Sequence, residues 1–397
     1  MSDQYGPQPS EEQGQPAGQS AVPRFPPPAY GVEPSRYPPP PAPVYPGVAP
    51  GAFGYPQPGY GPAVAAPAHP AYPHPVPTPY HQMLRTWSYA WWKPVLGLGV
   101  LGLGFLVVQV LVAFAFVILA ATRPGALLDN LGSLANLDDI GPSFLLLLNL
   151  SLGAMILVCW ATIRLVHRMR PRWLTSVAPK MRWRFFWSCV GVSVVALAAQ
   201  LAVSLVVPGA GDSSLSPSLN QFTATTVALA FIVLFTTPFQ AAGEEYLFRG
   251  YLMQAAGSLL KFNTTRAAEL VSKWGAILLT SLLFAAAHGA QNFPLFFDRF
   301  AFGFIAGWLI IRTGGLEAGI AMHILNNFFA LGAALLFGDI GSSLNVSEAS
   351  WWNIPVTLTQ AGVYAVLVVL LARRMAVQSH TRPPHTQQHE PVAGVPA

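Results

Sequence analysis

Apolar residues gather in eight blocks separated by short polar stretches: 95–121, 143–166, 185–207, 223–260, 274–289, 300–311, 316–337 and 354–372. A helix rises 1.5 Å per residue, so about 20 apolar residues cross a hydrocarbon core of about 30 Å. Six blocks reach that length or nearly so. The short pair, 274–289 and 300–311, reads either as two spans or as one kinked, partly re-entrant passage. Eight is the count the pattern favours, and it predicts an all-α, polytopic membrane protein with about eight transmembrane helices.

Basic residues orient these spans, because short cytoplasmic loops carry the excess of Lys and Arg. Arg168, Arg170, Arg172, Lys180, Arg182 and Arg184 follow the second block; Lys261, Arg266 and Lys273 follow the fourth. Arg312 follows the sixth block, and Arg373 and Arg374 the eighth. Alternate linkers hold only Arg123 and Arg299, beside Asp129, Asp138, Asp139, Asp212, Asp298, Asp339 and Glu348. The alternation predicts a multi-pass protein of the cell membrane with both termini in the cytoplasm.

Composition agrees with that class. Only 9% of the 397 residues are charged, 53% are hydrophobic and mean hydropathy is +0.44, values foreign to soluble domains with about a quarter charged residues. Residues 1–82 are another material, holding 24 of the 38 prolines with recurrent Gly, Tyr and Ala. Too little apolar surface can be buried there to offset the ordering entropy, which predicts a disordered Pro/Gly/Tyr-rich tail. A proline-rich tail can also serve as a docking site for an adaptor. Three regions follow: the tail 1–82, a helical membrane domain 83–377, and a polar, flexible C-terminal tail 378–397. Cys159 and Cys189 fall in apolar blocks and read as small buried hydrophobes.

Against this background, charge inside the apolar blocks stands out, since it commonly costs about 2.5–3.5 kcal/mol per group on insertion scales and marks functional sites. Glu244 and Glu245 lie side by side in the fourth block, with Arg249 one turn later. Of nine histidines, only His288 and His323 lie within apolar blocks. Glu244 lies 17 residues from Lys261, His288 15 from Lys273 and His323 11 from Arg312. Along helices these are roughly 25, 22 and 16 Å, so tilt permits all three to meet at one depth in a polar pocket.

Spacing within the blocks suggests roles. Glu245 and Arg249 are four apart and share a helix face, so they can pair, leaving Glu244 free as a base. His323 and Asn327 are also four apart, which suits two donors aimed at a developing oxyanion. Phe284, one turn before His288, is either a core aromatic or packing for the site.

Taken in order, Glu244-Glu245-x-x-x-Arg249, Phe284-x-x-x-His288 and His323-x-x-x-Asn327 resemble the three motifs of the CPBP intramembrane proteases, which include the CAAX prenyl endopeptidases and bacterial Abi-type proteins. The likeness covers roughly residues 223–337. It implies a hydrolase that cuts peptide bonds of membrane-embedded or lipidated substrates. By motif, Glu244 would activate water, His288 would bind or polarise it, and His323 with Asn327 would stabilise the oxyanion; Glu245, Arg249 and Phe284 would support them. Family members are commonly described as metalloproteases, and Glu244, His288 and His323 form a set that zinc accepts. No HExxH motif is present, and a Glu244 that ligates zinc cannot also be the free base.

Rival readings remain. A non-catalytic scaffold or bacteriocin-immunity protein could keep the same fold, and a proton-coupled transporter would also place Glu, His and Arg in the membrane. Gly97-x-Gly99-x-x-Gly102 matches a dinucleotide fingerprint but lies inside an apolar block, where close helix packing is the better account, as it is for Gly303-x-x-x-Gly307. The basic stretch 167–184 suits anionic lipid headgroups, and the net charge of +5 calls for no nucleic acid.

Overall fold

A computed structural model describes residues 72–136, 140–208, 218–289 and 291–382, apart from the side chain of Ser342. All of these fall within one unit, residues 63–397. Among them every long element is helical: α1 (Trp92–Ala121), α2 (Leu127–Leu134), α3 (Pro142–Gly153), α4 (Met155–Val166), α5 (Arg172–Thr175), α6 (Trp183–Ser204), α7 (Ala224–Glu245), a wide π-turn (Tyr246–Leu252), α8 (Met253–Leu260), α9 (Arg266–Ala286), α10 (Phe293–Thr313), α11 (Glu317–Phe337), α12 (Ile340–Leu344) and α13 (Asn353–Arg374). Eight of these helices or helix runs are long and apolar enough to cross a membrane, the pattern of a multi-pass membrane protein.

The two short apolar blocks are two full spans. Helices α9 and α10 each run 21 residues and pack against each other. Both start earlier than hydropathy suggests, because Thr265 and Asn292 cap their first turns with side-chain oxygens. Asp298 and Arg299, placed in a linker by the charge pattern, consequently lie in the early turns of α10, where Thr357 donates to Asp298.

Both tail boundaries also shift. The expected disorder of 1–82 falls mostly on residues outside those described, but 72–82 is ordered and packed. Tyr80, His81 and Gln82 form a buried turn, with Met83 and Leu84 following into the core. Its polar groups are satisfied by neighbours: Tyr80 Oη donates to the Leu174 carbonyl, and Gln82 donates to Glu269 and Ser272. Gly257 lies so close to the His81 carbonyl that a Cβ would collide with it, which lets the segment lie directly on α8. Likewise 378–382 is packed rather than loose. Thr78 and Thr381 exchange hydrogen bonds and Pro79 pairs with His380 in an antiparallel bridge, so the two described ends of the chain meet.

Close approach explains Gly97 and Gly303 but not Gly99 or Gly102. A Cβ on Gly97 would strike the Tyr251 hydroxyl of the π-turn, whereas Gly99 and Gly102 face open space. Gly243 presses on the Leu152 carbonyl at the junction of α3 and α4, which seats the Glu244 turn against that broken span.

Candidate active site

The charged turn of α7 begins with two carboxylates in different surroundings. Glu245 is fully buried, whereas Glu244 retains 9% of its surface. Arg249 Nη1 donates to Glu245 Oε1 at 2.9 Å, and His323 Nδ1 lies 3.0 Å from the same oxygen. One carboxylate oxygen therefore ties α7, the π-turn and α11 together. Two glycines make room for the pair: the Cβ position of Gly319 lies 2.6 Å from Glu245 Oε2, and that of Gly303 lies 3.0 Å from Arg249 Nη2.

Arg249 sits wholly out of water, with its guanidinium 4.0 Å from the Phe284 ring centre and 5.6 and 5.9 Å from those of Phe302 and Phe248. Desolvated cation–π contacts contribute roughly 2 kcal/mol each at best, and they replace part of the hydration that the ion gives up. Phe284 and Phe302 also pack edge-on against His323, at 5.9 and 5.0 Å. Phe284 is thus both core aromatic and site wall.

On the other side of the pair, Glu244 Oε2 lies 3.7 Å from His323 Nε2. That is beyond a direct hydrogen bond and suits a bridging water. Gln240 Nε2 donates to Glu244 Oε1, and Asn327 Nδ2 donates to Gln240 Oε1 at 2.8 Å. Two hydrogen-bonded runs, Asn327–Gln240–Glu244 and His323–Glu245–Arg249, thus face each other across the 3.7 Å gap between Glu244 and His323.

With this geometry in place, the comparisons with known proteins are informative. Residues 225–329 match the family model described as type II CAAX prenyl endopeptidase Rce1-like. The family implies intramembrane protease activity of the CAAX type. The chain is also 25% identical over 221 residues to the uncharacterized protein YyaK of Bacillus subtilis (strain 168), covering 51% of this chain and 69% of the relative. No solved structure matches.

Within the matched stretch, Glu244, Glu245, Arg249, His323, Asn327 and Phe284 come together. His288 is placed differently from the expectation of a residue deep in a span. It follows the end of α9, is exposed, and donates Nδ1–H to the Phe284 carbonyl at 2.8 Å in the tautomer that this contact requires. Its ring lies 4.7 Å from Phe284, within electrostatic range of Glu244, Arg299 and His323. Among the described residues no three of His, Cys, Asp and Glu stand together as a metal-ligating group.

Gln240 escaped the sequence reading. Its signal was present, an amide one turn before Glu244 in an otherwise apolar run, but an amide carries no charge and does not stand out as carboxylates do. The π-turn was also missed. Wide turns of this kind are rare and frequent at functional sites. Here it begins immediately after the carboxylate pair and carries Arg249.

Proposed function

We propose that this protein is an intramembrane endopeptidase in which Glu244 activates water for attack on a peptide bond of a membrane-associated or lipidated substrate. The observation that carries the reading is the nearly buried Glu244 carboxylate 3.7 Å from His323, whose other nitrogen is held by the buried Glu245–Arg249 pair. A base, an imidazole and a third group that orients the imidazole are the parts that hydrolysis requires.

In the proposed sequence, Glu244 takes a proton from a water lying between it and His323. The water oxygen attacks the scissile carbonyl carbon as the carbonyl π-pair moves to oxygen. The step requires His323 to offer Nε2–H to the oxyanion while Nδ1 stays on Glu245. Asn327 keeps one amide N–H on Gln240 and has a second to offer the same oxygen. On collapse the C–N bond breaks and the leaving amine takes the proton from Glu244. His288 has Nε2 left to hold water or substrate at the rim. No step is assigned to zinc.

The charge pattern supports a cytoplasmic position for both ends of the chain, and the joined ends of the described residues agree with an even number of spans. The decisive experiment uses the full chain in lipid vesicles with a membrane-presented peptide substrate. Glu244→Gln and His323→Ala are each expected to abolish cleavage while thermal unfolding stays intact. Full activity of either variant would remove the catalytic assignment of that residue, and absence of cleavage by the unmodified protein would favour a scaffold.

A further inference from the structure

The C-terminal ends of α10 and α13 enclose a cavity of about 150 Å³, lined by Arg312, Val369, Ala372, Arg373, Ala376, Val377 and Ser379. A single water needs only roughly 10–15 Å³, so the space holds something larger. Arg312 and Arg373 are exposed and make no side-chain hydrogen bond or ion pair with any described residue. No acidic residue lines the cavity. With two guanidinium groups and no carboxylate on its lining, the space is electropositive.

The chain shapes this space at a conformational cost. Ala376 adopts φ +47°, unusual for a residue with a Cβ, and Val377 N–H bonds back to the Ala372 carbonyl at 2.9 Å. That turn carries Val377 and Ser379 over the cavity. Deeper along the same helix lies a second, wholly apolar groove formed by Gly362, Val363, Val366 and Leu367. Arg373, Val369, Val366 and Gly362 recur at steps of four, three and four, which puts them on one face of α13. The groove starts roughly 10 Å and ends roughly 16 Å below Arg373, about the depth of one leaflet's hydrocarbon half. Gly362 has open space where a Cβ would stand, and that space is part of the groove.

We infer that this face of α13 is a binding site for an anionic phospholipid, its phosphate held between Arg312 and Arg373 beside Ser379 and one acyl chain lying along Val369, Val366 and Gly362. Head cavity and tail groove are separate features in register on one helix. A free phosphate would use only the first, so a lipid is the occupant to which both point. The site is independent of the hydrolytic chemistry and stands or falls without it.

The test is native mass spectrometry of the full chain released from nanodiscs containing phosphatidylglycerol and phosphatidylcholine. The unmodified protein should retain phosphatidylglycerol, and R312Q/R373Q should weaken retention roughly 10- to 30-fold, the loss of two interfacial cations. Gly362→Leu, filling open space with both arginines intact, should weaken it several-fold. R266Q/K273Q, which removes the same charge elsewhere, should leave retention within about twofold of the unmodified protein. Millimolar inorganic phosphate should fail to displace the lipid. Undiminished retention in R312Q/R373Q, an equal loss in R266Q/K273Q, or displacement by phosphate would each overturn the proposal.

Discussion

Two buried polar regions of this molecule are built on opposite plans. In the end segment, 72–86, side chains mostly meet backbone: His74 bonds the Met83 carbonyl, Tyr80 that of Leu174, and Arg85 those of Ser258 and Lys261. In the candidate site, side chains meet side chains, and three of them converge on Glu245 or its neighbour. The site also leaves Glu245 Oε2 and Arg249 Nε and Nη2 without hydrogen-bond partners. Backbone partners are fixed by the fold, so the first plan fastens a segment. Side-chain partners can exchange protons and re-aim, so the second plan leaves room for chemistry at a cost in stability.

That contrast is open to direct attack. The largest effect is expected at Glu244, where Glu244→Gln should lower cleavage about 10³-fold or more with the melting temperature nearly unchanged, measured by peptide turnover and thermal unfolding side by side. Glu245→Ala should behave oppositely, since it strands a buried guanidinium. We expect about 3–5 kcal/mol of lost stability, read from denaturation in mild detergent. Tyr80→Ala in the end segment should cost about 3–5 kcal/mol through the vacated core volume, whereas Tyr80→Phe should cost only about 1 kcal/mol.

Acid separates the regions as well. Burial holds the imidazoles of His74 and His81 down at about 4, below the usual value of 6.5. The unfolded chain therefore binds more protons between pH 6.5 and 4. Their stabilising effect is complete above about pH 6.5 and falls away as the pH drops towards 4, by up to about 3 kcal/mol for each group. Melting temperatures from pH 7 to pH 4 should fall, and less steeply in a His74→Phe, His81→Gln variant. The smallest expected effect is at Gln240, where Gln240→Ala should slow turnover about tenfold by loosening Glu244 and Asn327, with little change in stability.

The same contrast explains what could be read in the chain. Glu244, Glu245, Arg249 and His323 were legible because charge in an apolar run is conspicuous, and the fourfold spacing of Glu245 and Arg249 gave their pairing. The spans were legible from hydropathy, except that the capped starts of α9 and α10 hid in polar sequence. The end segment was not legible. Its composition is that of the proline-rich stretch before it, and its order comes from partners such as Leu174, Ser258 and Thr381, far away in sequence. His288 misled for a similar reason, because an apolar neighbourhood does not reveal where a helix stops.

The meeting of Thr78 with Thr381 has a topological consequence. Residues paired across a two-stranded bridge stand within reach of a short peptide linker, so the membrane domain is nearly a closed ring of chain. A circular permutant that joins residue 382 to residue 72 and opens elsewhere, at the segment between α6 and α7, should still insert and fold.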